Sequence, residues 1–225
     1  MYQKYFKRLV DILCSLAAII VFSWLYIIVA ILVRVKLGSP VIFKQARPGK
    51  NEKIFNLYKF RTMTDERDED GNLLPDDVRL TKFGRLLRET SLDELPEAFN
   101  ILKGDMSVIG PRPLLVRDMV FMTDIQRRRH SVSPGLSGLA QINGRNQITW
   151  EEKLEYDLEY IKKITFLGDV KIILKTVAKA FIKKEGISQE GMDTAEDLGD
   201  YLLRIQKIDD DYYSQKQTEA KLLLM

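Results

Sequence analysis

Hydrophobic positions are arranged along this chain in three ways. From Ile12 to Val33 they form the unbroken run ILCSLAAIIVFSWLYIIVAILV, 22 residues without a charge and with Ser15 and Ser23 as its conventional polar side chains. A straight helix of that length rises about 33 Å, enough to cross a hydrocarbon core of roughly 30 Å. After the turn signal Gly38-Ser39-Pro40 the pattern shortens. Val41-Ile42-Phe43 and Ile54 to Tyr58 read as strands around the polar bend Arg47 to Asn51, which predicts a hairpin. Beyond an acid-rich stretch from Thr64 to Asp77 that reads as a surface loop, the apolar spacing becomes helical. It runs through Phe83, Leu86 and Leu87, through Leu154, Leu158 and Ile161 within Trp150 to Lys163, and through Val170, Ile173, Leu174, Val177 and Phe181. In this last segment Lys171, Lys175, Lys179 and Lys183 form a second stripe. A basic amphipathic helix of that kind suits either the surface of a soluble domain or a membrane interface, and an apolar segment in the same chain favours the interface.

These elements predict an α+β chain that is mostly helical. It divides into a membrane-inserted N-terminal segment at 1–37, a compact domain with a short hairpin and interfacial amphipathic helices at 38–190, and a tail at 191–225. The tail is polar and acidic through Asp211, reads as helix or partial disorder, and carries no legible chemistry. The long run followed by Arg34 and Lys36 is unlike a cleaved signal. Lys4, Lys7 and Arg8 precede it, and Arg34, Lys36, Lys44, Arg47 and Lys50 follow it. Basic flanks on both sides give a spanning helix no direction, whereas a segment that dips in and returns keeps both on one side. Length permits spanning and charge favours return, with the bend expected at Ser23, whose hydroxyl can bond a carbonyl one turn back.

Charge and rare residues narrow the chemistry. Lys and Arg number 35 against 32 Asp and Glu, a net charge of +3, so no global field draws the protein to nucleic acid. The single cysteine, Cys14, precludes an intrachain disulfide, and the single histidine, His130, argues against histidine-rich metal sites and Ser-His-Asp catalysis. Carboxylates are the remaining candidates.

Four constellations stand out. Ser91-Leu92-Asp93-Glu94 reads either as a capping box that opens a helix or as a pair of carboxylates that divide nucleophilic or metal-binding work from proton handling. Pro96 fits the capping reading best if that helix starts nearer Asp93. In Lys59-Phe60-Arg61-Thr62-Met63, strand alternation puts Lys59 and Arg61 on one face, either solvated or gathered on one phosphate. Gly110-Pro111-Arg112-Pro113 stiffens one arginine between Pro111 and Pro113, as an exposed turn or as a presented phosphate ligand. The glycine-rich stretch Ser133 to Asn146 could bring backbone amides to an anion but lacks a P-loop ending. Arg127-Arg128-Arg129 reads as a surface or membrane-facing patch, and His130 as structural or solvated.

Taken in order, the basic-flanked apolar run, Val41 to Gly49, Lys59 to Met63, Ser91 to Pro96, Gly110 to Pro113 and Pro134 to Gly138 resemble the monotopic phosphoglycosyl transferases in their small single-domain form. The likeness covers roughly residues 1 to 190. It implies transfer of a sugar 1-phosphate from a UDP-sugar to polyprenyl phosphate with release of UMP, at the cytoplasmic face of a bacterial inner membrane. It implies Asp93 as covalent nucleophile and Mg²⁺ ligand, Glu94 as its assistant, and phosphate or uridine contacts from Arg112 within Pro111 to Pro113. It further implies phosphate-site roles for Lys59, Arg61, Arg88 and Arg145, and a place for Asp157 in the same network. The family's membrane helix bends at a Ser-Pro pair where this chain has Ser23-Trp24. A nucleotide-sugar pyrophosphatase and a catalytically silent membrane scaffold remain as other readings. Membrane burial and the amphipathic C-terminal half permit a homodimer.

Overall fold

A computed structural model describes residues 2–144, 148–182 and 196–225, without the side chains of 180–182. Arg145, Asn146 and Lys183, and the side chain of Phe181, lie outside the described residues.

The apolar run does not make one straight rod. Helix α1 (Lys7–Val21) and helix α2 (Ser23–Leu37) meet at Phe22, whose φ/ψ of −97°/13° leaves the helical region. The segments on either side are bent by 65°, and no single helix among the described residues is long and apolar enough to cross a membrane. The break therefore falls one residue before the expected Ser23, which opens α2 instead of bending it.

Polar anchors explain where α1 lies. Asp11 and Ser15 face inward, while Leu13, Leu16 and Ile20 on the same helix are exposed. Asp11 accepts from Ser107 Oγ and from the Val108 amide, both at 2.9 Å. Arg8 donates to the carbonyls of Ile101 and Leu102 at 2.5 and 2.7 Å, which satisfies orphan acceptors at the C-terminal end of the helix at Glu97–Lys103. Helix α2 buries Val29, Val33 and Leu37 against Phe60 and Leu87 and leaves Ile27, Ile28, Ile31 and Val35 exposed. Exposed apolar surface of this extent, continuous along two helices, marks a lipid or partner contact.

The hairpin pairs β1 (Ile42–Pro48) with β2 (Ile54–Phe60), antiparallel, from Ile42↔Phe60 to Pro48↔Ile54. Both strands run to seven residues, so Arg47 lies inside β1 and not in the bend. Helix α3 (Lys82–Glu89) follows the acidic loop, and α4 (Glu97–Lys103) leads to β3 (Ser107–Ile109). Strand β3 pairs in parallel with β4 (Gly135–Ser137).

Residues 196–225, read as a tail, are built into the core. Leu198 and Ala220 pack with Val116, Val120, Phe121, Trp150 and Leu154. The Leu198 amide donates to the buried Asp118 at 3.0 Å, and Phe121 stacks on Tyr213 at 5.7 Å between centroids. In the helix at Phe166–Ile182 the predicted apolar stripe is not the buried face: Val170 and Ile173 are half-buried and Leu174 and Val177 exposed, while Asp169 and Ile172, one position earlier in each turn, are buried.

Candidate active site

The site grows from the turn between α3 and α4. Thr81 caps α3 by accepting from the Gly84 amide at 3.0 Å, and Gly84 lets that helix approach the strand exit, since a Cβ there would lie 1.8 Å from the Thr62 carbonyl oxygen. Ser91 then adopts the left-handed conformation at φ 55°, and its side chain caps nothing. The capping-box reading is thereby corrected. A single 3₁₀ turn, Leu92–Glu94, carries both acids, and Pro96 stands just before the first residue of α4, where its missing N–H costs little. Because the serine supplies conformation and no cap, Ser91→Gly is expected to raise stability by about 1 kcal/mol and Ser91→Val to lower it, read as opposite shifts in thermal midpoint.

This turn delivers Glu94 into a cluster of opposite charge. Glu94 Oε1 accepts from Lys59 Nζ at 2.9 Å and from Arg112 Nη2 at 2.8 Å. Lys59 also reaches Glu97 Oε1 at 3.3 Å. Burial alone would raise the Glu94 pKa, but the two cations outweigh it and hold this carboxyl well below the usual range. Asp93, 7% exposed, has its pKa raised from 3.8 to about 6 by burial and by Glu94, against the pull of Lys59, Arg88 and Arg112. Glu97 is raised to about 7 by burial and by Glu94. The result is two carboxyls poised near neutrality beside one that stays ionised, a pattern common where proton or nucleophile chemistry is done.

The remaining predicted residues separate. Arg61 is turned away: β2 ends at Phe60, so alternation no longer applies. Its Nη1 donates to the Ser39 carbonyl at 2.6 Å, its Nε to Met63 at 2.8 Å, and it pairs with Asp65. Arg61 closes the loop that enters β1 and does not join Lys59. Arg88 donates to Thr62 Oγ1 at 3.1 Å and acts on Asp93 through its charge.

Pro111 and Pro113 flank an Arg112 that is 44% exposed at its side chain and paired with Glu94. Gly110 and Gly135 are adjacent across the β3–β4 ladder: a Cβ on Gly135 would lie 2.0 Å from the Gly110 amide nitrogen. Asp157 lies behind this loop, in a fully buried ion pair with Arg129 at 2.7 Å.

Three contributors escaped the sequence reading. Glu97, in the first turn of α4, carries no motif that singles it out. Arg129 sat inside a run read as a surface patch, yet it is buried, Arg127 pairs with Glu52, and Arg128 alone of the three is exposed. Arg47 was placed in a turn, but its Nη1 donates to the Pro113 carbonyl at 3.1 Å. His130 is held neutral, its pKa lowered to about 4 by burial and by Arg129, in keeping with a structural role.

The residues fit a divalent cation in one way. Among the described residues no group of three or more His, Cys, Asp or Glu side chains could cage a metal. Asp93, however, accepts no hydrogen bond among the described residues, so its oxygens are available. One carboxylate completed by substrate phosphates is a common way to hold Mg²⁺. Beside Pro96 opens an apolar groove of about 470 Å³, lined by Tyr26, Ile42, Tyr58, Phe99 and Leu102 with Lys44 and Lys103. Tyr26 ties α2 to the turn that carries Asp93 and Glu94 by donating to the Leu95 carbonyl at 2.6 Å.

Residues 2–183 match the family model described as bacterial sugar transferase. An uncharacterized sugar transferase, EpsL, of Bacillus subtilis is 53% identical over 190 residues, 84% of this chain and 94% of its own length. The UDP-glucose:undecaprenyl-phosphate glucose-1-phosphate transferase of Klebsiella pneumoniae is 44% identical over 189 residues, 80% of this chain and 41% of its own. The exopolysaccharide production protein PSS of Rhizobium leguminosarum is 36% identical over 194 residues, 80% of this chain and 97% of its own. This chain thus spans nearly all of two of these relatives and about two-fifths of the third.

Proposed function

Because the chain belongs to the bacterial sugar transferase family, we propose that it transfers a sugar 1-phosphate from a UDP-sugar to polyprenyl phosphate, releasing UMP. The observation that carries this reading is the pairing of Glu94 with both Lys59 and Arg112 beside an Asp93 that no hydrogen bond from the described residues restrains. Phosphoryl transfer asks a protein mainly for placed cations and an aimed nucleophile, and this cluster offers both.

In the proposed first step an Asp93 carboxylate oxygen bonds to the sugar-bearing phosphorus, the bond to UMP breaks, and UMP leaves with that electron pair. In the second, a phosphate oxygen of the polyprenyl phosphate attacks the same phosphorus, the Asp93–phosphorus bond breaks, and the carboxylate is restored. Glu94 holds Lys59 and Arg112 where donor phosphate oxygens can take over their hydrogen bonds. Mg²⁺ bound at Asp93 would neutralise diphosphate charge. The apolar groove beside Pro96 offers the acceptor's chain a path away from the water phase.

Radiolabelled UDP-sugar with polyprenyl phosphate is expected to give UMP and an organic-extractable diphosphate. Free sugar phosphate without lipid product would replace this reading with a pyrophosphatase. The bent helix pair and its basic flanks support a segment that enters one leaflet and returns, with the catalytic cluster on the cytoplasmic face. With Cys14 replaced by serine, cysteines introduced by Gln3→Cys and Ser39→Cys are expected to react with an impermeant maleimide from the same side of sealed vesicles. Labelling from opposite sides would establish a span.

A further inference from the structure

Each carbonyl of the Pro111–Arg112–Pro113 loop has its own donor. The Gly135 amide donates to Pro111 at 2.9 Å, Arg129 Nη2 to Arg112 at 2.5 Å, and Arg47 Nη1 to Pro113 at 3.1 Å. Committing a buried Arg129 and a half-buried Arg47 to hold one loop is costly, since a guanidinium taken out of water needs charge and hydrogen bonds in return. Arg129, with its side chain 1% exposed, gets both from Asp157, whose Oδ2 accepts from Nε at 2.9 Å and from Nη2 at 2.7 Å. The other carboxylate oxygen, Oδ1, is buried with no hydrogen-bond partner among the described residues, so the hydrogen bonds that Asp157 accepts there all come from Arg129.

Geometry makes the Arg112 carbonyl an effective handle. Arg112 precedes a proline, which restricts its backbone to extended conformations, and Pro111 fixes φ on its other side. Pinning the carbonyl oxygen fixes the remaining freedom, the peptide plane from which the Arg112 side chain departs towards Glu94 at 2.8 Å.

We propose that Arg129 is a positioning residue for sugar-phosphate transfer, aiming Arg112 at the donor phosphates by holding the Arg112 carbonyl, and that Asp157 acts through Arg129 without touching substrate. The inference rests on the reading of Arg112 as a cation that meets the donor. It moves Asp157 out of the set of substrate contacts and adds Arg129, with Arg47 as the second clamp on the same loop.

A displacement of about 1 Å at a phosphate ligand can cost 10²-fold in rate. Arg129→Met is therefore expected to lower kcat/KM for the UDP-sugar by about 10²-fold, and Arg129→Lys, which keeps the charge but not the fork, by about 10-fold. The deciding measurement is the cycle with Arg112→Met. If Arg129 works through Arg112, the double variant is no worse than Arg112→Met alone, whereas a general folding role gives losses that multiply. Melting curves accompany each variant. Should Arg129→Met not fold, Arg129→Lys and Asp157→Asn run the same cycle. Titration of UDP-sugar by calorimetry in an Asp93→Asn background repeats the cycle without the chemical step, so the clamp is read even if the products show a different reaction. Multiplying losses, or wild-type donor affinity in Arg129→Lys, would overturn the inference. Absence of lipid-linked product from the wild-type protein would instead overturn the proposed activity.

Discussion

Asp93→Asn is expected to abolish UMP release from donor alone, by at least about 10³-fold, and to raise the melting temperature at the same time. Asparagine keeps the shape of the side chain but cannot form a phosphate anhydride and be regenerated, so intact-mass spectra of the variant with donor should show no added sugar phosphate. The gain in stability follows from the direction of the pKa shift. In the folded protein Asp93 gives up its proton at about 6 instead of 3.8. Between those values the unfolded chain is ionised first and binds fewer protons, so stability falls as pH rises from about 4 to about 6 and the deficit persists above that. Removing the charge recovers at most about 3 kcal/mol at pH 7.5 and nothing below pH 4. A variant that is inactive and unchanged in stability at pH 7.5 would show that Asp93 is not held at this cost. One that stays active would remove it from the chemistry.

Such a combination, a gain in stability with a loss of function, marks a residue placed for function against its own solvation preference. The rest of the cluster follows the same logic to different degrees. Lys59, Glu94 and Arg112 are 18, 19 and 44% exposed at their side chains, open enough for a ligand to displace one partner. Arg129 and Asp157, at 1 and 4%, are too enclosed to do so. That gradient is the one expected if Lys59, Glu94 and Arg112 meet substrate and Arg129 and Asp157 aim them, as proposed.

What could be read from the sequence depended on how far the deciding contacts lie along the chain. The hairpin, α3 and the helix at Trp150–Lys162 follow from local periodicity, and the structure has them close to the expected positions. Arg61 was misplaced because alternation holds only while a strand lasts, and β2 stops one residue earlier. The capping signature at Ser91 does not operate because that residue adopts a left-handed conformation, which its sequence does not announce. Arg129 gave no local signal, since its partners Asp157 and Arg112 stand 28 and 17 positions away. Helix was one of the two readings of the C-terminal segment, but its place in the core was not legible: Leu198 and Ala220 become core only against the face formed by Val116, Phe121 and Trp150, which lies far away along the chain.

Lys59→Met is the substitution expected to couple stability most strongly to pH. Lys59 stands between Glu94 and Glu97, at 2.9 and 3.3 Å. Removing one partner of a buried charge pair commonly costs about 3–5 kcal/mol, but here the cost has an outlet, because a carboxyl without its cation can keep its proton. Glu97 already titrates near 7 with Lys59 present, raised by burial and by Glu94. Without Lys59 its folded pKa moves higher still, further from the unfolded value of 4.5. In the wild-type protein the Glu97 deficit is complete once pH passes about 7, whereas in the variant it keeps growing as pH rises. The gap in melting temperature between wild type and Lys59→Met is therefore expected to be present already at pH 6, where Glu94 has lost one of the cations that hold it ionised, and to widen steadily towards pH 9. Adding Glu97→Gln should close most of the widening, since the titrating group is gone, yet leave UMP release depressed by about 10²-fold, because the donor phosphates still lack the Lys59 cation. A gap that does not change with pH would mean that Lys59 supports the fold by packing alone, and recovery of activity in the double variant would mean that its charge serves Glu97 and not the substrate.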